Sequence, residues 1–233
     1  MIQTQKVVRS SCALEFNKSD CFSMLTPDEL DFLYTRMADV YYSKGEVVFK
    51  QGSFAGNIMV LQEGLIKTYI EGIGENLILQ IFSPVTIIGL SSLCEGNQMR
   101  FSSAQAYIDS RLSMIEINAI KQLMASNSIF ASKLVALLAE QMIIVSGRFF
   151  CLTKKQTYGR FADVLLCLSN RIYKSNCFSL QLSRKDLAEL TGMTIESVAR
   201  SLTKFKNDGL INVHNDTIEI LDYPRLEMIS FKG

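Results

Sequence analysis

The chain has 233 residues, of which 48% are hydrophobic and 20% are charged, and its formal net charge is +1. This composition supports a packed core in one or two domains and excludes a largely disordered chain. A single histidine, His214, and six cysteines without a CxxC pair exclude most metalloenzymes and the common zinc-binding spacings.

Charged residues interrupt the N-terminal apolar residues, so no secretory signal is expected. The longest apolar stretch, 134–145, contains Glu140 and Gln141 and is shorter than the roughly 20 residues that a membrane span needs. We therefore expect a cytoplasmic protein with no membrane partner.

The first helix is predicted over residues 26–40. Thr26 and Pro27, followed by two acidic residues, are typical of a helix start, and apolar residues at helical spacing follow. Between residues 41 and 117, short β-rich runs alternate with eight of the chain's 13 glycines, a pattern typical of an all-β barrel or sandwich. The predicted strands are 47–49, 58–61, 65–70, 77–82, 104–108 and 112–117.

Two helices are predicted next, over 119–125 and 128–150. The second is about 22 residues, or roughly 33 Å, long. Its apolar face is wide enough to cover the barrel on one side and a second helix on the other, which favours dimerisation over burial within one chain. The predicted dimer residues are Leu134, Leu138, Gln141, Val145 and Arg148.

A polar break at residues 153–156 predicts a hinge, and helical spacing resumes over 156–172. These boundaries divide the chain into a sensor domain (1–127), a dimerisation helix with its hinge (128–153) and a C-terminal domain (154–233). The C-terminal domain carries 12 Lys and Arg against 9 Asp and Glu, which is compatible with a phosphate-bearing partner or with ordinary scatter.

Residues 183–206 predict two helices joined by a sharp turn. Ser183 can cap the first helix with Asp186 at its third position, Gly192 suits the turn, and Thr194 can cap the second helix. Helix, short turn with glycine and helix is the pattern of a helix-turn-helix. Two further runs, 210–213 and 217–221, flank a turn that contains His214 and predict a β-hairpin wing.

Polar residues on the second helix predict contact with duplex DNA. Glu196 and Arg200 are four apart and share one face, where arginine can bind guanine and glutamate can accept from cytosine. The alternative is an ordinary surface ion pair. The predicted base contacts are Thr194, Ile195, Glu196, Ala199 and Arg200. The predicted phosphate contacts are Ser183, Arg184, Ser197, Lys204 and His214.

This order of elements resembles the Crp/Fnr superfamily of bacterial transcription regulators across nearly the whole chain. The segment 194–200 resembles the family's recognition helix, and Gly45, Gly52, Gly64 and Gly89 resemble its barrel glycines. The resemblance implies an α+β chain: a jelly-roll β-barrel like that of cyclic-nucleotide-binding domains, a long dimerisation helix and a winged helix-turn-helix. It also implies a homodimer, not an enzyme, that binds a near-palindromic operator and contacts RNA polymerase.

The effector of the barrel stays open. The cAMP-binding members of the family place a Gly-Glu pair and an Arg-Ser pair in the pocket, where this chain has Gly89-Leu90 and Ser102-Ser103. The charged ligands are missing, although Arg100 lies nearby, so cAMP is disfavoured. The candidate pocket residues are Gly89, Leu90, Ser91, Arg100, Ser102 and Ser103.

Two other cofactors are also disfavoured. An iron–sulfur cluster is not supported by three widely spaced cysteines, Cys12, Cys21 and Cys94. Haem ligated by histidine is disfavoured because His214 lies outside the barrel. The effector could be another small molecule, a redox signal at a thiol, or absent.

Two other classes of protein compete with the DNA-binding hypothesis. A cyclic-nucleotide-dependent regulatory subunit shares the barrel but lacks the segment 183–220. A cupin-type enzyme needs several metal ligands inside the barrel, which the lone His214 does not provide.

Overall fold

The computed structural model of this chain describes residues 21–94, 96 and 98–233. These residues form two units, one over residues 21–141 and one over Met142–Gly233, and the boundary lies within a single long helix. The predicted domain limits at residues 127 and 153 stay predictions. Cys12 lies outside the described residues.

The first unit opens with a capped helix. α1 (Pro27–Tyr34) starts at Thr26, whose hydroxyl accepts from the Glu29 N–H, while the Glu29 carboxylate accepts from the Thr26 N–H at 2.9 Å. The predicted start is correct, but the predicted continuation to residue 40 is wrong. Met37–Tyr42 forms strand β1, whose Asp39 accepts hydrogen bonds from Arg111 and Ser113. These partners lie more than 70 residues away in the sequence, so local periodicity contains no sign of them.

Two four-stranded antiparallel sheets form the jelly-roll barrel, as predicted. Their strand orders are β1-β8-β3-β6 and β2-β7-β4-β5. Alternate side chains point between the sheets and fill the core, among them Leu61, Ile66, Phe82 and Leu112. The remaining strands are β2 (Val47–Phe49), β3 (Asn57–Glu63), β4 (Ile66–Ile70), β5 (Leu77–Phe82), β6 (Thr86–Ile88), β7 (Ser103–Ala106) and β8 (Ser110–Glu116).

Gly64, in the turn between β3 and β4, has both the conformation and the space that only glycine tolerates. Its φ is +104°, and a β-carbon there would lie 2.1 Å from the Ser110 hydroxyl oxygen. That hydroxyl accepts from the Leu65 N–H and donates to the Ile108 carbonyl. The close approach therefore joins this turn to the start of β8.

Two helices pack on the barrel through a second apolar cluster. α2 (Ile117–Ser126) and the first part of α3 (Ser128–Lys154) cover Ile58 and Ile115. Leu134 is fully buried in this cluster together with Phe130, one turn earlier. The predicted role of Leu134 in a dimer face is therefore wrong, because its side chain faces the core of its own unit.

The second unit contains the C-terminal helices and a small sheet with strand order β10-β11-β9. A π-helical segment, Leu168–Tyr173, follows α4, and the sequence predicted neither it nor β9 and α7. The elements are α4 (Thr157–Cys167), β9 (Cys177–Ser179), α5 (Arg184–Thr191), α6 (Ile195–Asn207), β10 (Ile211–His214), β11 (Thr217–Ile220) and α7 (Tyr223–Lys232).

A buried polar cluster joins the turn after α3 to α4 and α7. The Lys155 ammonium lies 2.7 Å from the Asp163 carboxylate, and the Ser230 hydroxyl donates to the same carboxylate oxygen at 2.9 Å. Cys151 is buried beside them. Burial raises the pKa of the Cys151 thiol to about 12, and the Asp163 carboxylate adds to the effect. The cluster thus fixes the predicted hinge region to the body of the second unit.

We expect Lys155→Met to destabilise the protein by about 3–5 kcal/mol, because the Asp163 carboxylate would stay buried without its cation. Lys154→Met, at the exposed neighbouring position, should change stability by less than about 0.5 kcal/mol. Urea unfolding of both variants at one protein concentration, followed by circular dichroism, measures the difference. Equal unfolding midpoints would contradict a stabilising role of the pair.

Candidate nucleic-acid interface

The start of α5 is fixed by reciprocal hydrogen bonds, as predicted. The Ser183 hydroxyl accepts from the Asp186 N–H at 3.1 Å, and the Asp186 carboxylate accepts from the Ser183 N–H at 2.9 Å. The hydroxyl also donates to this carboxylate at 2.6 Å. Both hydrogen-bonding functions of the Ser183 hydroxyl are therefore used within the cap. This argues against the phosphate contact predicted for it.

Gly192 ends α5 and permits the turn to α6. Its φ is +59°, and a β-carbon there would lie 3.2 Å from the Leu152 side chain. The Met193 N–H then donates to the Ala188 carbonyl at 3.1 Å and closes the turn. The helix-turn-helix geometry predicted from the sequence is present.

Helix α6 buries one face and exposes the other. Thr194 caps it by accepting from the Ser197 N–H at 3.2 Å. Val198, Ser201 and Phe205 are buried, and the Phe205 ring centroid lies 5.6 Å from that of Phe161 in α4. The opposite face is therefore exposed, and it carries both Glu196 and Arg200.

Local hydrogen bonds set the ionisation of this exposed face. The pKa of the Glu196 carboxyl is lowered by a hydrogen bond from its own backbone N–H, then by the Thr194 side chain and the charge of Arg200. The carboxylate is therefore ionised and can only accept hydrogen bonds at neutral pH. Arg200 donates to the Ser197 hydroxyl at 3.0 Å, which orients the guanidinium along the helix.

An open groove of about 530 Å³ runs beside α6. Tyr158, in the first turn of α4, lines it, and sequence reasoning missed this residue because nothing in the local pattern distinguishes it from an ordinary helix residue. The Lys204 ammonium lies 5.8 Å from the Tyr158 ring centroid and 3.0 Å from the Asp208 carboxylate. The residues that line the groove are Tyr158, Ala199, Arg200, Thr203, Lys204, Asn207 and Asp208.

The wing is a short antiparallel hairpin. His214 pairs with Thr217 across a two-residue turn in which Asn215 has a φ of +51°. His214 is exposed at this end of the hairpin, and Arg184 is exposed in the first turn of α5. All the predicted DNA-contact residues therefore belong to the second unit, on α5, α6 and the wing.

Arg100 occupies part of the predicted barrel pocket and bonds to the chain's own groups there. Arg100 is 5% exposed and donates to the Asn57 carbonyl and side-chain oxygens, both at 2.6 Å. It also donates to the Ser92 hydroxyl at 3.1 Å and lies over the Phe49 ring. A β-carbon on Gly89 would come within 2.5 Å of the guanidinium, so the arginine occupies the space beside this glycine.

The other pocket residues do not match the requirements of a cyclic nucleotide. Leu90 is buried in the apolar cluster beneath α2, and its side chain offers no acceptor for a ribose hydroxyl. Ser103 is fully buried, where its hydroxyl donates to the Glu71 carboxylate and accepts from the Gln51 N–H. Ser91 is exposed and Ser102 half-buried. The residues present therefore do not fit cAMP.

Metal ligands are not gathered in the part of the chain that the structure describes. Within residues 21–94, 96 and 98–233, no three His, Cys, Asp or Glu side chains lie close enough to hold a metal ion. Cys21 is buried and Cys94 is exposed.

Comparison with protein families assigns each half of the chain to a known domain family. The profile of the cyclic nucleotide-binding domain matches residues 39–127, and that of the Crp-like helix-turn-helix domain matches residues 159–229. The chain belongs to the Crp/Fnr superfamily. It is a transcription regulator of this type, and its family is one of DNA-binding regulators rather than enzymes.

Relatives of this Crp/Fnr chain align over most of its length. It is 24% identical to electron transport regulator A of Shewanella oneidensis, over 98% of this chain and 95% of the relative. It is 28% identical to the transcriptional activator protein Anr of Pseudomonas aeruginosa, over 88% of this chain and 84% of the relative.

A solved structure supports the same Crp/Fnr fold. FixK2 from Bradyrhizobium japonicum matches with a TM-score of 0.77 at 21% identity, over 84% of this chain and 98% of FixK2.

Proposed function

We propose that the chain binds a near-palindromic operator as a homodimer, with α6 of each protomer in the major groove. The exposed face of α6 carries this proposal, because a capped helix with a buried apolar face leaves Glu196 and Arg200 accessible to base edges. Arg200 would bind guanine O6 and N7 with two hydrogen bonds, and the ionised Glu196 would accept from cytosine N4. Ile195, Ala199 and the cap residue Thr194 would complete the base contacts.

The phosphate contacts belong to exposed residues around α6. Arg184, Lys204 and His214 are exposed, and phosphate contacts from these positions would fix the register on the duplex without selecting a sequence. The Ser197 hydroxyl accepts from Thr194 and Arg200, which leaves its own proton for a phosphate oxygen. The ion pair between Lys204 and Asp208 would have to exchange for a phosphate contact.

Arg200→Ala should remove the selection for guanine at the base pair that Arg200 contacts while the protein stays folded, because a bidentate base contact is worth about 1–3 kcal/mol of discrimination. Lys204→Ala provides the comparison: it should weaken binding to all sequences about equally and lower the salt slope by about two, because each protomer of the dimer loses one phosphate contact. Selection from a random DNA pool, followed by titrations at several salt concentrations, separates the two effects. An unchanged sequence preference in Arg200→Ala would refute the assignment.

The dimer interface is proposed along α3. Four apolar residues at heptad spacing are exposed on this helix: Val135 (59%), Met142 (71%), Val145 (61%) and Phe149 (68%). Together with the half-buried Leu138, they follow the 3-4 alternation of a two-stranded coiled coil. Of the residues predicted from sequence, Leu138 and Val145 lie on this seam and Gln141 is half-buried beside it.

Arg148 does not belong to the proposed seam. Its guanidinium donates to the Leu190 carbonyl at the end of α5, within its own unit. This contact gives Arg148 an intramolecular role and satisfies a carbonyl at the helix C-terminus.

The same helix also meets a simple criterion for a membrane span. Ser128–Lys154 is 27 residues long, and its most apolar 18-residue segment has a mean hydropathy of 1.7. Only 11% of that segment is buried. Lys133, Glu140 and Arg148 interrupt it, and a span would separate the barrel from the DNA-binding unit by a bilayer. A partner helix in a cytoplasmic dimer accounts for the exposed apolar residues without this separation.

Val145→Glu should therefore give a monomer, because it places a charge in the middle of the apolar seam. Ile143→Glu is the matched control, since Ile143 is 48% exposed on the same helix but lies off the heptad positions, and this variant should stay dimeric. Sedimentation velocity of the two soluble proteins measures the difference. If both variants were monomers, or if both were dimers, the result would contradict the proposed seam.

Membership of the family supports contact with RNA polymerase in the cytoplasm, and the name of the Pseudomonas relative supports activation as the outcome. In this proposal the chain consists of a sensor domain (1–127), a dimerisation helix (128–153) and a DNA-binding domain (154–233).

We further propose that the barrel does not bind cAMP, because Leu90 and Arg100 contact other residues of the protein itself.

Isothermal titration with cAMP should accordingly give no saturable heat at micromolar concentrations. Binding of the selected operator DNA by the same preparation serves as the control for active protein. A saturating heat with cAMP would overturn this part of the proposal.

A further inference from the structure

The C-terminal end of α3 contacts the helix-turn-helix of the same unit. The Arg148 guanidinium donates to the Leu190 carbonyl near the end of α5. Leu152, one turn later on α3, lies against Gly192, since a β-carbon there would be 3.2 Å from the Leu152 side chain. We call the contacts of Arg148 and Leu152 the α3 clamp, because they hold the end of α5 and the turn that leads to α6. A third contact comes from α4, where Arg160 donates to the Gly192 carbonyl at 3.3 Å.

The contact between Arg148 and Leu190 is electrostatically favourable. The last carbonyls of an α-helix have no partner within the helix and carry the negative end of its dipole. A guanidinium brings both a positive charge and several N–H donors to such a carbonyl. A hydrogen bond from a charged donor shifts a docking equilibrium by roughly 10- to 100-fold. Arg148 therefore holds the end of α5 against α3 more firmly than the apolar contact of Leu152 alone would.

The α3 clamp lies on a face of α3 next to the proposed dimer seam. Arg148 and Leu152 are four apart and share one face, whereas Val145 and Phe149 are four apart and share the neighbouring, exposed face. Both pairs belong to the same two turns of one continuous helix. Any contact that orients α3 against a partner helix therefore also orients the turn and the start of α6.

A dimer built in this way would match one separation between half-sites. B-DNA makes one turn in about 10–10.5 base pairs, or roughly 34–36 Å. One inserted base pair therefore moves the second half-site by about 3.4 Å and rotates it by about 35° around the duplex. Two recognition helices that are fixed to one pair of α3 helices could not follow this displacement.

We infer that Arg148, supported by Leu152, is a positioning residue that sets the spacing between half-sites which the dimer accepts. The inference rests on the proposed function, in which two copies of α6 bind one near-palindromic operator. Arg148 contacts no base in this scheme, because it acts through the end of α5. Its loss should therefore relax the selection of spacing and leave the sequence preference of each half-site unchanged.

The test uses the operator selected from a random pool by the unaltered full-length protein. One or two base pairs are then inserted or removed between the half-sites, whose sequences stay the same. For the unaltered protein, each change should weaken binding by at least about tenfold, the size of one lost bidentate base contact. In Arg148→Met this penalty should shrink by at least about threefold, with part of the α3 clamp still held by Leu152. Fluorescence anisotropy titrations at one salt concentration measure each dissociation constant.

Three further variants connect the effect to the α3 clamp. Arg148→Lys keeps a cation that can donate to the Leu190 carbonyl, so it should restore the penalty. Leu152→Ala removes the other contact and should relax the spacing in the same direction, which keeps the test decisive if Arg148→Met does not fold. The matched control combines Phe150→Ala with Lys154→Met, since both side chains are exposed on the same turns of α3, and it should keep the full penalty. Sedimentation velocity establishes that each variant is a dimer before the titrations.

The possible failures are distinguishable. If the pool yields no motif with two half-sites, the proposed function fails and the inference with it. If the unaltered protein binds all spacings equally, the inference alone is overturned. An equal loss of affinity for every spacing in Arg148→Met would indicate a merely structural role and would also overturn it. The same holds if the control variant relaxes the spacing as much as Arg148→Met does, or if Arg148→Met keeps the full penalty.

Discussion

The packing of Phe205 against Phe161 determines how the second unit presents its recognition helix. With ring centroids 5.6 Å apart and Val198 and Ser201 buried on the same face, α6 has one rotation about its own axis that satisfies the core. The exposed residues follow from this rotation, since a helix that buries one face must show the other. The Thr194 cap and the Gly192 turn then fix where α6 begins, and so place Glu196 and Arg200 in its first turns.

The barrel has the family fold, but the polar side chains of its pocket bond to other residues of the chain. In this chain most polar groups of the pocket have partners within the protein: the two terminal nitrogens of Arg100 donate to Asn57 and Ser92, although its Nε has no partner, and Ser103 bonds to Glu71 and Gln51. Buried polar groups that already have partners gain little from a ligand that must displace them. The fold of a cyclic-nucleotide-binding domain is therefore retained, while the contacts that would recognise the nucleotide are replaced.

Local patterns predicted the elements whose signals are short in range. The caps at Thr26, Ser183 and Thr194 and the turn at Gly192 depend on residues within a few positions of each other, and all of them are present. Features set by distant partners were not predictable. Met37–Tyr42 is a strand because it pairs along its length with β8, which is about 70 residues further along the chain. Leu134 faces the core because of the sheet beneath it, and Arg148 contacts the end of α5. The DNA-contact residues rest on the exposed face of α6, whereas Tyr158 could be identified only once α4 was placed beside it.

The burial of Cys151 has a consequence for how the protein meets oxidants. A thiol with a pKa of about 12 is almost entirely protonated at neutral pH, and the protonated form is a poor nucleophile towards peroxides and disulfides. Among the described cysteines, Cys94 and Cys177 are exposed instead. Oxidative chemistry at this chain would therefore begin at its surface thiols and spare the cluster that anchors the end of α3.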